Sequence, residues 1–118
     1  MITKILIVED ELISSGELIR LIKKDTIQAT TIETVQSMDI AMTLLKDHNH
    51  ELVIFNLELP GAFEFLDFAI GSGVCLIMTI NDTPENRIAA RLIELDYLAK
   101  PFNPVLVKEM LGRYKQAM

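Results

Sequence analysis

Cysteine is nearly missing from this chain. Its 118 residues hold one, Cys75, so no internal disulfide can form and the fold must rest on buried apolar surface. That lone thiol reads as a small buried hydrophobe. Long apolar runs are missing too. The longest, Val74 to Met78, is far too short to cross a bilayer. No secretory leader pattern opens the chain, so a cytoplasmic protein with no membrane partner is expected. Basic residues are the minority: 11 Lys and Arg face 17 Asp and Glu, a net charge of −6. The acids are spread along the chain, which argues against direct contact with nucleic acid. There is no glycine-rich phosphate loop and no nucleophile–base pair, so an independent enzyme is not expected. Repeats, low-complexity tracts and linkers are absent as well, leaving residues 1–118 as one domain.

What is present is alternation. Short apolar runs at Lys4–Val8, Glu51–Leu57 and Val74–Ile80 have the length of strands, and their unbroken hydrophobicity predicts parallel strands covered on both faces. Gln28–Val35, rich in Thr, Ile and Val, predicts a strand at a sheet edge. Helical spacing places Leu18, Leu21 and Ile22, and then Ile40, Met42, Leu44 and Leu45, on one or two adjoining helix faces. In the third helix Phe65, Leu66, Ala69 and Ile70 are expected to be buried, with Phe63 or Phe68 partly exposed. Thr83-Pro84-Glu85 is a helix start, with a capping hydroxyl, proline in the first turn and then an acid. Asn103-Pro104 repeats the signal before a stripe of Val107, Met110, Leu111 and Tyr114. The pattern predicts a doubly wound, five-stranded α/β sheet.

In such sheets functional groups gather at the carboxyl ends of the strands. The first strand ends in Glu9-Asp10, the third in Asn56, the fourth in Thr79 and the fifth in Lys100-Pro101. Two carboxylates, an amide, a hydroxyl and an ammonium should converge there. The grouping is more specific than any of its members.

Three motifs carry a resemblance: Ile5-Leu6-Ile7-Val8-Glu9-Asp10-Glu11, Leu52-Val53-Ile54-Phe55-Asn56-Leu57-Glu58-Leu59-Pro60-Gly61, and Asp96-Tyr97-Leu98-Ala99-Lys100-Pro101-Phe102. In order and spacing the chain resembles CheY-like receiver domains of response regulators, essentially from end to end. The resemblance implies a flavodoxin-like sheet of strand order 2-1-3-4-5. It implies that Glu9 and Asp10 stand where the family holds Mg²⁺, and that Thr79 and Lys100 stand where it holds phosphoryl oxygens. Tyr97 matches the family's switch aromatic. Asn56 stands where the family carries its phospho-accepting aspartate.

A neutral amide cannot form an acyl phosphate, and it removes one of three charges that would attract a hard cation. Mg²⁺ is therefore expected to bind weakly, with Glu58, two residues on, a candidate substitute ligand. Ile80 follows Thr79 where the family has a small residue and is expected to crowd the phosphoryl pocket. The Gly-Ala that the family carries between its fourth helix and fifth strand is absent, Glu94-Leu95 running almost directly into Asp96-Tyr97, and the segment after Gly61 is shortened. These departures point to a degenerate receiver acting in phosphorelay signalling through protein–protein contacts. The alternative is an ordinary phospho-accepting, Mg²⁺-dependent regulator whose acceptor has been replaced. Implied partners are a histidine kinase or an output protein, or a second copy through the fourth helix, fifth strand and fifth helix. The chain stops after its last helix, so no output domain is expected within it. His48 and His50 fall in a polar stretch and are expected to be exposed, with no metal between them.

Overall fold

The computed structural model describes residues 4–25, 31–47 and 49–117. Strands and helices alternate along the chain: β1 (Lys4–Val8), α1 (Leu12–Asp25), β2 (Thr31–Val35), α2 (Met38–Asp47), β3 (Leu52–Asn56), α3 (Ala62–Ser72), β4 (Cys75–Asn81), α4 (Pro84–Ile93), β5 (Tyr97–Lys100) and α5 (Pro104–Ala117). The sheet is parallel throughout in the order β2-β1-β3-β4-β5. This is the CheY-like, flavodoxin-like order. Among the described residues no helix is long and apolar enough to cross a membrane.

Register divides the side chains between two cores, because neighbours along a strand point to opposite faces and paired residues share one. Ile7, Ile54 and Ile77 lie in one row across the sheet. With Ile5, Leu52 and Leu98 they pack under α1 and α5, against Leu18, Ile22, Val107 and Leu111. Val8, Phe55, Met78 and Ile80 point the other way, against Ala41 of α2, Phe65 and Ala69 of α3 and Ala90 of α4. The Phe55 and Phe65 rings meet at 5.5 Å. Each fully buried Ile, Leu or Phe stabilises the fold by about 1.5–3 kcal/mol. The central strand β3 is buried along its whole length, as its continuous apolar sequence requires. β2 forms an edge, as expected; Gln28 to Thr30, which the sequence assigns to it, lie outside the described residues.

The helix starts behave as read. Thr83 Oγ1 accepts the amide of Asn86 at 3.2 Å, and Asn103 Oδ1 accepts that of Val105 at 2.9 Å. Gly61, at φ 80°, opens α3 in the left-handed region that glycine tolerates best. Glu94 takes the same region, at φ 63°, to end α4. A non-glycine residue in that region carries a backbone strain of about 1 kcal/mol.

Four expectations need correction. α2 buries Met38 and Ala41 and leaves Ile40 53% exposed, because the small Ala41 lets the helix sit close to the sheet. α3 likewise turns Ile70 out to solvent, with only Phe65, Leu66, Ala69 and Ala62 inside. His50 is buried: its Nε2 lies 2.8 Å from Glu33 Oε1 on the edge strand, a tertiary partner that turns a polar loop residue inward. Cys75 is only half-buried, at the start of β4. His48 lies outside the described residues.

Candidate functional site

The site grows from one face of the sheet. Glu9 follows Val8 at the end of β1 and so points, like Ile7, toward the α1–α5 side. Asn56 follows Ile54 and Phe55 onto the same side, and the ladder pairs it with Thr79. Lys100 pairs with Asn81 at the end of β5, two residues beyond Leu98. The period of two thus brings Glu9, Asn56, Thr79 and Lys100 to one end of one face, and adds Asn81. The Lys100–Pro101 peptide after them is cis.

Glu9 is the centre. It is 2% exposed, and a carboxylate so placed must be compensated. Lys100 Nζ stands 2.7 Å from Oε1, a contact of charge rather than an aligned hydrogen bond. Oε2 accepts the Asn56 amide at 3.0 Å and the Glu11 backbone N–H at 3.2 Å. Burial by itself would raise the Glu9 pKa. The Lys100 ammonium, the Asn56 amide and the Glu11 N–H together outweigh it and hold the group below the usual carboxylate range. Lys100 responds in the opposite sense. Burial would lower its pKa, but Glu11, to which its ammonium also donates, and Glu9 hold it above the ordinary lysine value. Asn56 is spoken for on both sides, since its Oδ1 accepts the Glu58 N–H at 2.9 Å.

Glu58 is held by amides. Its carboxylate accepts the Asn81 N–H at 3.1 Å, the Asn81 side-chain amide at 3.0 Å and the Asn86 side-chain amide at 2.5 Å. The loop after β3 is thereby tied to the end of β4 and the first turn of α4. Glu58, which the sequence offered as a substitute metal ligand, thus carries three amide donors on its carboxylate. Asp10 is exposed at the rim of a hollow of about 260 Å³ that it shares with Glu11, Asn56, Glu58, Leu59, Pro60 and Asn81.

Ile80 is the other correction. It is fully buried in the core under α2, α3 and α4, on the face opposite Thr79, and lines no wall of that hollow. A branched side chain there fills the core and does not crowd the site. Thr79 itself is buried beside Asn56, while β4 runs two residues past it to Asn81. Tyr97 is half-buried against the α4 side, three residues from Lys100 and therefore on the other face. Sequence reasoning missed Glu11, Asn81 and Asn86. Asn81 was within reach, because two residues after Thr79 returns to the same face.

Mg²⁺ favours several free carboxylate or carbonyl oxygens in near-octahedral array. Here both Glu9 oxygens face donors, the Asn56 oxygen faces an N–H, and Asp10 alone is open. Among the described residues no three His, Cys, Asp or Glu side chains gather with the spacing of a metal centre. The set as it stands does not fit a built Mg²⁺ centre.

No protein-family model and no curated protein matches the chain. Solved structures do. A response regulator receiver protein from Burkholderia phymatum is 23% identical, covering 95% of this chain and 94% of its own, with a TM-score of 0.79. The signal receiver domain of an HD domain-containing protein from Pseudomonas fluorescens Pf-5 is 19% identical over 98% of this chain and 88% of its own, at 0.81. The chemotaxis response regulator CheY4 of Vibrio cholerae is 20% identical over 97% and 99%, at 0.75. At such identities the likeness establishes the fold.

Proposed function

We propose that this chain is a receiver module of two-component signalling that works by binding protein partners and does not take up phosphate. The observation that carries the reading is Asn56. The amide stands at the acceptor position, bonded between Glu9 and the Glu58 N–H, and offers no nucleophilic oxygen for phosphoryl transfer. Lys100 is already committed to Glu9 and Glu11, so the one cation of the cluster is engaged from within. Mg²⁺ binds such a cluster weakly. Contact with a histidine kinase, an output protein or a second copy then falls to the surface of α4, β5 and α5, where Ile88 and Leu92 expose apolar side chains one turn apart. Incubation with Mg²⁺ and acetyl phosphate, followed by intact-mass measurement, is the test. No gain of a phosphoryl group is expected, and modification at any residue of the cluster would sink the proposal.

One observation favours a second reading, an ordinary phospho-accepting regulator whose acceptor aspartate is replaced at position 56. Thr79 keeps its place opposite Asn56, and Lys100 keeps its place beside Glu9. On that reading Asn56→Asp alone restores rapid modification by acetyl phosphate, since Ile80 is no obstacle. Slow or absent modification of that variant would favour the first reading.

A further inference from the structure

Two patches on opposite sides of the molecule lie outside the site just described, and each pairs exposed apolar side chains with charge of one sign. The first is a hollow of about 270 Å³ between α1 and α5, lined by Leu21, Lys24, Pro104, Val105 and Lys108. Leu21 forms its buried floor, while Val105 is 62% exposed. Both charged lining residues are cations. In a chain of net charge −6, with more acids than bases available to pair, neither Lys24 nor Lys108 has a carboxylate in ion-pair reach among the described residues. Arg20, one turn before Lys24, extends the basic stripe and is exposed as well. Lysines in the last turn of a helix are often explained by the helix dipole. That accounts for Lys24 but not for Lys108, which lies near the start of α5.

The second patch is the outer face of α3. Phe63 and Ile70 are 62% and 58% exposed there, large apolar groups with nothing over them in one copy of the chain. Asp67 lies between them on the same helical stripe and Glu64 beside it, both exposed. The apolar anchors span two turns, and the charges are opposite to those of the hollow.

We propose that this chain associates head to tail with a second copy of itself, the acidic outer face of α3 seating in the basic hollow between α1 and α5. The two patches cannot meet within one copy. α3 packs on one face of the sheet and α1 with α5 on the other. The contact is therefore heterologous: in a pair one copy keeps its hollow free and the other its α3 face, and association continues beyond the dimer unless a ring closes. It is distinct from a symmetric dimer through α4, β5 and α5, which would use one patch twice.

Sedimentation of the full chain from about 20 µM to about 1 mM at low salt tests this, the range being that of a small, transient interface. The weight-average mass should rise with concentration, and 0.5 M NaCl should lower the association constant by about 10-fold. All four charges are exposed, so reversing them spares the fold, which circular dichroism checks. K24E/K108E and E64K/D67K should each remain monomeric alone. Mixed one to one they should associate again, because each supplies the partner of the other's intact patch. Three results would each overturn the proposal: wild type monomeric at 1 mM, either double variant still associating by itself, or no association on mixing. The first would leave the hollow to an acidic helix of another protein.

Discussion

Aspartate at position 56 would put a second carboxylate where the Asn56 amide now donates to Glu9 Oε2 at 3.0 Å. A hydrogen bond to a charged acceptor, worth about 1.5–3 kcal/mol, would be lost. Two carboxylates with centres about 4 Å apart would also repel by roughly 4 kcal/mol at an effective dielectric of 20. Lys100, 2.7 Å from Glu9, attracts the newcomer and offsets much of that. The new group has one more escape, which is to keep its proton. At about 1.36 kcal/mol per pH unit above an ordinary Asp value near 3.9, protonation caps the penalty at about 4 kcal/mol at pH 7 and about 1.5 at pH 5. The sign follows from linkage. An acid whose pKa is raised on folding costs stability as pH climbs from its unfolded to its folded value, and the cost is constant above that. Asn56→Asp should therefore be less stable than wild type by about 2 kcal/mol at pH 8 in chelator, or about 8 °C in Tm for a chain of this size. The deficit should shrink toward pH 5. Millimolar Mg²⁺ should raise the Tm of the variant and leave wild type nearly unmoved, because only the folded variant binds the ion appreciably. Thermal melts at both pH values, with chelator and with Mg²⁺, decide the matter. A variant as stable as wild type in chelator at pH 8 would refute the electrostatic account of Asn56.

Lys100→Met leaves Glu9 buried without its counter-charge, and denaturant titration at pH 7 should show a loss of about 3–5 kcal/mol. The Glu9 contribution in wild type is whole above its ordinary value of 4.5 and is lost as pH falls through the lowered folded value, so the gap between the two proteins should narrow on acidification. Glu58→Ala cuts three hydrogen bonds to the end of β4 and the start of α4, and amide exchange at Asn81 to Asn86 should accelerate at least about 10-fold for a loss of about 1.4 kcal/mol of local stability; unchanged protection would deny Glu58 that role. Glu94→Gly relieves the left-handed backbone at the end of α4 and should stabilise by about 0.5–1 kcal/mol in urea unfolding, as glycine favours that position.

Strands were legible because burial on both faces leaves an unbroken apolar run; β1 was bounded to the residue and β3 within one residue at either end. Helix starts were legible because capping is local chemistry. Helix faces were less so. Ile40 and Ile70 satisfy helical spacing as well as Ala41 and Ala69 do, and only the distance of closest approach to the sheet selects the smaller residue. His50 was misplaced because Glu33, its partner, is 17 residues away on an edge strand. At the site, the strand-end positions of Glu9, Asn56 and Lys100 could be read directly. The direction of Ile80 could have been: period two from Met78 sends it into the opposite core. What no local pattern discloses is that Lys100 would bridge Glu9 and Glu11, or that Glu58 would be bound by amides from 23 and 28 residues along.

The sheet is a wall between two cores, with Glu9 and Lys100 on one side and α4 packed on the other. A displacement at Glu9 would have to deform five paired strands to reach α4 through the interior. A shorter road runs around the end of the wall. Glu9 holds the Asn56 amide, Asn56 holds the Glu58 N–H, and the Glu58 carboxylate holds Asn86 in the first turn of α4. Side chains and one stretch of loop make up the whole linkage, so the packed interior can stay rigid while the surface that α4 presents is adjusted from the site.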